Sequence, residues 1–429
     1  MTAGRVHIVG GGIAGLSAAL AVTREKGEAI LYEAAPQPGG RCRTIHPADG
    51  FSHDNGTHVL LTGNWHALNM LKAIGARDRW IEPERKGLPL CDMRTGTMRR
   101  IGLSPWSWLR PSRRPQGLGP ADLARLLRLA FPARDCPVAS IVGDSPIMDT
   151  LIGPLTMAVL NTPPDVASAR RLATALRRLL WPRAGRLLVA RNGLSEDLIQ
   201  PAVETLQARG VPLLAGQRLR SLVTHSDDRV IGLSLTDRTI ALRPEDQVIL
   251  ALPPYEIARL LPALPVPHRF EAILNLHFRI PGLERPRFIG FIGALTQWLL
   301  VRRDHVSVTI SAADTAPYDE AADLASTIWH EIVPTLRELG LDASADRQPE
   351  VRVVKEKRAT IRQDAPPLPQ PPLRPLGNLA LAGDWIGTLP ATIESAVVSG
   401  EQAVAALQPV TSAGLDAVRR HSPRRDDAA

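Results

Sequence analysis

A glycine-rich turn near the start of the chain constrains the fold more than any other feature. The apolar run Val6–Val9 leads into Gly10-Gly-Gly12-Ile-Ala-Gly15, and an Ala/Leu-rich segment typical of a helix, 14–22, begins inside the turn. Gly10 permits a tight turn, Gly12 lets the backbone approach a pyrophosphate, and Gly15 lets helix and strand pack closely. A strand, this turn and a helix in this order predict a seat for an adenine dinucleotide.

Glu33 and Asp384 follow apolar runs at opposite ends of the chain. Glu33 stands at the distance from the glycine turn where a carboxylate accepts hydrogen bonds from the adenosine ribose and disfavours a 2′-phosphate. Asp384 comes after the run 379–382 and before a small-residue segment that predicts a helix beginning near Pro390. The N-terminus of such a helix stabilises negative charge on a cofactor. Either motif alone also fits a plain turn, but together they predict one dinucleotide held by both ends of the chain.

The composition is that of a globular chain in a reducing compartment. With 429 residues, 44% of them hydrophobic, the chain is long enough for two buried cores, so we expect two domains. The cysteines, Cys42, Cys91 and Cys136, are scattered and odd in number, which argues against a disulfide framework and against a metal site. We find no basic-then-apolar leader and no apolar run near the roughly 20 residues of a spanning helix. These features predict a cytoplasmic protein.

The charge is strongly basic but does not indicate a nucleic-acid partner. The net charge is +8, yet only five of the 51 basic residues are lysine, and no basic stretch alternates with aromatic residues. The segment 104–131 instead combines tryptophans and arginines with a helical stripe formed by Leu123, Leu126, Leu127 and Ala130. This pattern is typical of an interfacial helix on a membrane, and equally of an amphipathic helix that covers its own core.

The remaining pattern divides the chain between two domains. We assign residues 1–85, 190–255 and 355–410 to a dinucleotide-binding domain. Residues 86–189 and 256–354 form a substrate domain, and residues 411–429 form a flexible tail. Four short β runs within 219–252 predict a meander that returns to a buried strand. Thr162-Pro-Pro-Asp165 predicts a capped helix start. We expect the arginines of that helix on its solvated outer face, namely Arg170, Arg171, Arg177 and Arg178.

Short motifs carry a resemblance that covers nearly the whole chain. Besides the glycine turn and Gly383-Asp384, they are Gly39-Gly-Arg41-x-Arg43, Asp54-Asn-Gly-Thr-His58, Leu160-Asn-Thr-Pro-Pro164, Lys357-Arg-Ala-Thr360 and Leu389-Pro-Ala-Thr-Ile-Glu394. With them the chain resembles the FAD-dependent amine oxidase and phytoene desaturase superfamily, and within it the hydroxysqualene dehydroxylase family. The resemblance implies an α/β fold in which a Rossmann-like FAD-binding domain carries a discontinuous α+β substrate domain.

The resemblance also implies which residues hold FAD. Gly10, Gly12 and Gly15 would bind the pyrophosphate, and Arg41 would meet its charge. Ile13, Ala14 and Gly40 would also belong to the cofactor site. Glu33 would bind the ribose, and the backbone of Leu219 would bind the adenine. Gly383 and Asp384 would bind the ribityl chain. The isoalloxazine ring would be approached by Arg43, Asn55, Gly56, Thr57, His58, Thr392 and Ile393. Thr57 departs from the subfamily, which often has glutamine at that place, so a long amide side chain is missing there.

The activity implied by the resemblance is FAD-dependent reductive removal of the hydroxyl of hydroxysqualene to give squalene, a step of hopanoid and squalene biosynthesis. A hydride passes from reduced flavin to the allylic cation left when the hydroxyl departs as water, so the leaving group needs an acid. His58 is the first candidate and Asn55 the second; the alternative is that His58 only positions the cofactor. The implied partners are a C30 isoprenoid lipid, the inner face of the plasma membrane and other squalene-pathway enzymes.

Two other interpretations stay open at the level of the sequence. A desaturase of phytoene or carotenoid precursors, or another FAD-dependent oxidoreductase of the amine oxidase family, would move hydride from the substrate to FAD. A non-catalytic prenyl-binding protein of the same fold would need no FAD, and Glu33, Arg41 and Asp384 argue against it. The direction of hydride transfer separates the enzymes from each other.

Overall fold

The fold is given by a computed structural model that describes residues 4–225, 228–314 and 321–407. The predicted tail, 411–429, lies outside the described residues. Within these ranges the strands are, in chain order, β1 (Val6–Val9), β2 (Ala29–Tyr32), β3 (Thr44–Ile45), β4 (His53–Asp54), β5 (Val59–Leu61), β6 (Trp80–Ile81), β7 (Leu88–Asp92), β8 (Thr97–Ile101), β9 (Leu187–Ala190), β10 (Leu213–Leu214), β11 (Ser221–His225), β12 (Arg229–Ser234), β13 (Thr239–Ala241), β14 (Gln247–Leu250), β15 (Phe270–Phe278), β16 (Arg287–Ile292), β17 (Trp298–Val301), β18 (Val306–Ser311), β19 (Val351–Ile361) and β20 (Leu379–Leu381).

The helices connect these strands and cover their faces. In chain order they are α1 (Ile13–Arg24), α2 (Trp65–Ala73), α3 (Pro120–Ala130), α4 (Val138–Val142), α5 (Gly153–Leu160), α6 (Ala169–Leu179), α7 (Gln200–Ala208), α8 (Pro254–Leu260), α9 (Ala321–Glu338) and α10 (Ile393–Leu407). Short 3₁₀ turns lie at Arg77–Arg79, Pro105–Leu109 and Pro111–Arg113, and π turns at Met148–Ile152 and Ser195–Ile199. No helix in the described part of the chain is both long and apolar enough to cross a bilayer.

Five parallel strands form the sheet that carries the glycine turn, in the order β10-β2-β1-β14-β20. Both faces of this sheet are covered: Ile8 belongs to an apolar cluster with α1, α7 and α10, and Val9 belongs to another with the β11-β12-β13 meander. Burial on both faces explains why these strands are apolar without alternation. The predicted α/β class is confirmed, and so is the predicted meander over 219–252 that returns to the buried strand β14.

Helices α1 and α10 cross closely on one face of this sheet. A Cβ atom on Gly400 would stand 2.4 Å from the Ala14 carbonyl oxygen, so this crossing requires glycine. Ser17 Oγ donates to the Val397 carbonyl at 2.9 Å in the same contact. Helix α10 begins at Ile393 rather than near Pro390 as predicted, because the intervening residues form a turn in front of it. Segments from opposite ends of the sequence therefore share one core.

The second large sheet has seven strands in the order β19-β15-β18-β17-β16-β7-β8. Adjacent strands of this sheet pair antiparallel, except β16 and β7, which pair in parallel. Helix α9 packs on this sheet, where the ring centroids of Phe278 and Trp329 are 5.1 Å apart. Phe288 and Leu300 join a further apolar cluster with α4, α5 and α6. Strand β19 crosses the assigned boundary at 355, and the domain boundaries stay predictions.

The predicted helix start at Thr162 is wrong. Helix α6 begins at Ala169, and Ser168 Oγ accepts the Arg171 N–H at 3.1 Å as its cap. Thr162 Oγ1 donates to the carbonyl oxygen of Leu160 and accepts the N–H of residue 363, which is 201 positions away. The threonine hydroxyl is therefore engaged by a distant segment and is not available as a cap.

Candidate active site

The glycine turn between β1 and α1 is crowded on one side and open on the other. Gly10 has a φ of +109°, which other residues rarely adopt, and a Cβ atom on Gly15 would stand 1.8 Å from the Gly10 carbonyl oxygen. A Cβ atom on Gly12 would meet nothing within 4 Å, and no side chain caps the N-terminus of α1. The N–H groups of Ile13 and Ala14 lack intrahelical acceptors because they open the helix. This open side suits a pyrophosphate.

Glu33 lies beside the turn, directly after β2. One carboxylate oxygen accepts the Gly11 N–H at 2.7 Å, and the other accepts the Ala35 N–H at 2.7 Å. Each oxygen keeps a second acceptor site, which is free for a ribose hydroxyl. Leu219 is buried in the same cluster as Tyr32, and its carbonyl oxygen accepts from Arg259 Nη2 at 2.8 Å. The ribose and adenine contacts of these residues stay predictions.

Arg41 and Asp384, predicted at distant places in the sequence, form an ion pair. Arg41 Nη2 lies 2.7 Å from Asp384 Oδ1, and Arg41 Nη1 donates to the Ala359 carbonyl oxygen at 2.5 Å. Burial lowers the pKa of Arg41, but the Asp384 carboxylate outweighs burial and leaves the pKa above its ordinary value. A Cβ atom on Gly40 would stand 3.5 Å from Gly12 Cα. The structure therefore brings this segment next to Gly12 of the glycine turn.

The segment from Asn55 to His58 follows β4 and runs beside Arg43. The Asn55 N–H donates to the Arg43 carbonyl oxygen at 2.8 Å. A Cβ atom on Gly56 would stand 3.4 Å from Asn275 Nδ2 and 4.0 Å from His58 Nε2. The two ring nitrogens of His58 lie 3.9 and 3.8 Å from the Sγ atom of Cys42, which follows Arg41 in the chain. The predicted ring-side residues are thus adjacent to the predicted phosphate-side residues.

His58 is mainly neutral near pH 7. Burial lowers its pKa, the Asp54 carboxylate raises it, and the Arg41 charge lowers it again, with a net shift below the ordinary value of 6.5. Burial also raises the pKa of the adjacent Cys42 thiol to about 12. A neutral imidazole offers one N–H and one acceptor nitrogen. Either a hydrogen bond to a cofactor or proton transfer through the minor protonated form is compatible with this site.

Two serines of α10 fasten the Gly383-Asp384 turn to the start of that helix. Ser399 Oγ accepts the Gly383 N–H at 2.9 Å, and Ser395 Oγ donates to the Asp384 carbonyl oxygen at 3.3 Å. The Thr392 N–H donates to the same Ser395 oxygen at 2.9 Å. Ile393 then opens the helix, whose N-terminus carries partial positive charge. The helix therefore places a positive end beside Asp384, where the sequence predicts the flavin.

An apolar cavity lies against these residues. It holds about 1260 Å³ of empty space, counted with the open solvent at its mouth, and Thr57 and Thr392 form part of its wall. Phe288 and Trp298 also line it, and their stacked rings have centroids 5.4 Å apart. Most other lining side chains are aliphatic, namely Val59, Leu60, Leu61, Leu88, Leu103, Leu155, Ala158, Val159, Ala175, Leu179, Leu187, Ile273, Leu389 and Pro390. Such walls suit a hydrocarbon and exclude water.

Comparison with known proteins assigns the chain to a family. The family described as flavin containing amine oxidoreductase matches residues 13–281. The hydroxysqualene dehydroxylase of Zymomonas mobilis is 35% identical over 410 residues, which cover 92% of this chain and 97% of the relative. That of Rhodopseudomonas palustris is 37% identical over 421 residues, which cover 93% and 97%. The chain belongs to the hydroxysqualene dehydroxylase family.

As a member of the hydroxysqualene dehydroxylase family, the chain is a flavin-dependent oxidoreductase, which confirms the predicted enzyme class and the predicted flavin. The solved structure of cyclohexylamine oxidase from Brevibacterium oxydans is 16% identical and has a TM-score of 0.67, covering 94% of this chain and 98% of that chain. This likeness concerns the fold alone and confirms the predicted amine oxidase-like fold. In the described ranges, no group of three or more His, Cys, Asp or Glu side chains could hold a metal ion.

The cavity wall of this family member also contains an ion pair that the sequence did not reveal. Arg178 Nη1 lies 2.7 Å from Glu394 Oε1, and Glu394 Oε2 accepts the Ala67 N–H at 2.8 Å. The predicted solvated face of α6 is therefore wrong for Arg178, and also for Arg171, which is buried and donates to carbonyl oxygens of the 387–389 loop. The remaining two arginines are exposed as predicted. Glu394 stood in a recognised motif, but its partner lies 216 positions away.

Proposed function

We propose that this protein uses FAD to remove the hydroxyl of hydroxysqualene and so gives squalene, in squalene and hopanoid biosynthesis. The observation that carries the proposal is the apolar cavity bordered by Thr57 and Thr392, because its mostly aliphatic walls suit a long hydrocarbon. The names of the two bacterial relatives support the same substrate.

The site residues fit FAD. The open side of Gly12 and the uncapped N-terminus of α1 suit a pyrophosphate, and Glu33 keeps acceptor sites for an adenosine ribose. A flavin mononucleotide has no adenosine and would leave Glu33 unused. When bound, reduced FAD supplies the hydride that replaces the hydroxyl, which leaves with one proton as water, and FAD is left oxidised.

The residues of the chain orient the substrate, exclude water and handle the proton. The aliphatic walls keep water away from the allylic cation, which water would otherwise trap. Phe288 and Trp298 line the same cavity and offer aromatic surface that stabilises positive charge. His58 is the candidate proton donor and Asn55 the second candidate. Because the pKa of His58 is lowered, donation from His58 proceeds through its minor protonated form near pH 7.

Anaerobic single turnover tests the proposed reaction. The purified protein is reduced by light and mixed with hydroxysqualene, and we expect squalene and oxidised-flavin absorbance in equal amounts. Phytoene is offered separately to the oxidised protein, where we expect no bleaching of the flavin. Bleaching with phytoene, together with no squalene from hydroxysqualene, would replace the proposal by a desaturase.

We also propose that the protein contacts an anionic membrane peripherally. Trp106 Nε1 donates to the Leu180 carbonyl oxygen at 2.6 Å, which joins the 104–131 segment to the end of α6, and the Arg177 guanidinium lies 6.0 Å from the Phe131 ring centroid. We define the tryptophan–arginine face by its exposed apolar residues and by arginines near them in the chain, namely Trp65, Trp106, Leu109, Leu123, Leu127, Phe131, Leu180 and Trp181, with Arg110, Arg113, Arg114, Arg128 and Arg177. Exposed tryptophan and leucine side chains accompanied by arginines favour an interface with anionic lipid.

Helix α3 packs one part of its apolar surface on the core and leaves another part exposed, which supports the proposed contact. Leu129 and Ala130 are buried against the core, whereas Leu123 and Leu127 are 52% and 62% exposed. Of the apolar residues of this helix, Leu123 and Leu127 therefore remain exposed to solvent. Leucines that the core does not need, on a helix rich in arginine, are typical of an interfacial helix.

Vesicle flotation tests the membrane contact. We expect the protein to float with phosphatidylglycerol vesicles and not with phosphatidylcholine vesicles. The combined change Arg110→Gln, Arg113→Gln and Arg114→Gln should weaken binding by about a hundredfold, since each arginine near an anionic surface contributes about 1 kcal/mol. The matched control changes three exposed arginines elsewhere to glutamine, namely Arg220, Arg238 and Arg347. Equal flotation of the two triple variants would contradict the proposal.

A further inference from the structure

The cavity wall and the tryptophan–arginine face are built from the same stretches of chain. Asn64 lines the cavity, and the next residue, Trp65, is exposed on the face. Leu179 lines the cavity, and the next two residues, Leu180 and Trp181, are exposed on the face. Consecutive Cα atoms are only about 3.8 Å apart. The cavity therefore approaches the protein surface at this face, at two independent points of the sequence.

Trp65 and Trp181 meet where these two stretches reach the surface. Their rings are packed edge to face with centroids 6.2 Å apart, and the two residues are 40% and 51% exposed. Indole rings combine a large apolar body with a polar N–H, which is why tryptophan collects at the level of lipid headgroups. The pair thus has the chemistry of a boundary between the cavity and a bilayer.

The only charged side chains among the described residues of the cavity wall belong to the same two stretches and to the start of α10. Arg178 and Glu394 are 21% and 2% exposed and bind each other at 2.7 Å. Glu394 accepts the N–H groups of His66 and Ala67, which follow Trp65, and Arg178 is three residues before Trp181, so the ion pair lies where both stretches meet the cavity wall. Because the two charges compensate each other, a hydrocarbon passes them without facing a single uncompensated charge.

We infer that a C30 hydrocarbon passes between an anionic bilayer and the cavity at Trp65, Trp181, Arg178 and Glu394, which we call the tryptophan port. This route rests on the proposed substrate and adds the phase from which that substrate is taken. If the hydrocarbon is transferred directly from the bilayer, it does not have to cross water. The free energy of exposing a hydrocarbon to water increases with every CH₂ group.

Labelling at the port tests the route. In a Cys136→Ser background, Trp181→Cys places one reactive thiol at the port, and Val223→Cys places one on β11 as the matched control; the other two cysteines are buried. Each variant is labelled with a bulky, environment-sensitive fluorophore, and flavin absorbance verifies that each is folded. We expect phosphatidylglycerol vesicles to shift the emission of the label at 181 to the blue and to leave the emission at 223 unchanged.

Turnover then locates the entrance. Hydroxysqualene is supplied in detergent micelles, so that membrane binding is not needed, and we expect the label at 181 to abolish squalene formation while the label at 223 has no effect. Trp65→Cys, labelled in the same way, serves as a second variant if Trp181→Cys loses its flavin. Equal turnover by the port-labelled and control-labelled enzymes would overturn the port. Absence of squalene with the unlabelled wild type would instead contradict the proposed function, so the two failures are distinct.

Discussion

Arg302 Nη1 lies 2.7 Å from Asp54 Oδ2, and both side chains are 5% exposed. Asp54 ends β4 directly before the Asn55–His58 segment, and Arg302 follows β17 of the seven-stranded sheet. Asp54 Oδ1 also accepts from the Thr44 hydroxyl and from the Leu194 N–H. This buried pair joins the Asn55–His58 segment, which the sequence predicts beside the flavin, to the sheet that lines the apolar cavity.

Replacing Arg302 by methionine should strongly destabilise the protein, because the Asp54 carboxylate would stay buried without its partner. We expect the free energy of unfolding to fall by about 3–5 kcal/mol, measured by urea denaturation. Arg303→Met is the control, since the pair of Arg303 with Glu284 is 80% and 83% exposed and should change stability by no more than about 1 kcal/mol. Similar losses in both variants would contradict a special role of the buried pair.

Glu33→Gln should weaken flavin binding. The amide keeps one acceptor oxygen, but its NH₂ group would face either the Gly11 or the Ala35 N–H, which the carboxylate now accepts. We expect the dissociation constant of FAD to rise by about 10- to 100-fold, in line with the loss of a hydrogen bond to a charged group. Fluorescence titration of the deflavinated protein measures it. Glu28→Gln, which changes an exposed glutamate, should bind FAD as the wild type does.

The rate of single turnover should depend on pH through His58. Because its pKa is lowered, the protonated fraction increases as the pH falls from 8 to 6, and a step that uses His58 as the acid should accelerate accordingly. Stopped-flow oxidation of the pre-reduced enzyme by hydroxysqualene gives the profile. We expect His58→Ala to be slow with a flat profile, and His46→Ala, at an exposed histidine, to match the wild type. An unchanged rate in His58→Ala would limit this histidine to positioning the cofactor.

Three buried histidines pack together between β4 and the seven-stranded sheet. The ring centroid of His277 lies 4.6 Å from that of His53 and 6.0 Å from that of His305, and His277 Nε2 is buried without a partner. Burial lowers the pKa of His277 well below 6.5, and the neighbouring histidines and Arg302 lower it further. His277 therefore stays neutral in the folded protein at a pH where the unfolded chain already binds a proton.

The protein should lose stability in mild acid. Since the unfolded chain binds the extra proton at His277, the free energy of unfolding decreases as the pH falls below about 6.5, by at most about 1.4 kcal/mol per pH unit for this one group. Urea midpoints at pH 7.5 and 5.5 measure the loss. We expect His277→Gln to lose less than the wild type over this interval, and His46→Gln to lose as much. Equal loss in all three proteins would assign the acid sensitivity to other groups.

The parts of the site that depend on local rules could be predicted from the sequence. Strand β1, the glycine turn and α1 follow from steric needs that each glycine meets within a few residues, and Glu33 is placed by the short strand before it. Asp384 follows β20 for the same reason. In each case the decisive neighbour is close in the sequence or is the backbone itself, so the pattern carries the information.

The rest of the site depends on partners that no local pattern encodes. The helical pattern predicts Arg171 on a solvated face, yet the carbonyl oxygens to which it donates lie more than 200 positions away in the sequence. Thr162 fits the pattern of a helix cap, but its hydroxyl binds a distant segment instead. The cavity itself is bounded by many separate stretches of the chain, from Thr57 to Glu394. Its shape follows from how the seven-stranded sheet packs against α5, α6 and the turn before α10, which periodicity in one segment does not specify.

The bond between Ser17 in α1 and Val397 in α10 spans 380 positions of the sequence. A chain emerging from the ribosome exposes the glycine turn early, but α10 and the Gly383-Asp384 turn emerge among the last of the described elements. The apolar surfaces that pack against α10 therefore remain exposed through most of translation. A flavin site that uses both ends of the chain, as the sequence predicts, would be completed only near the end of translation, and we expect cells short of the cofactor to accumulate a chain that chaperones and proteases recognise.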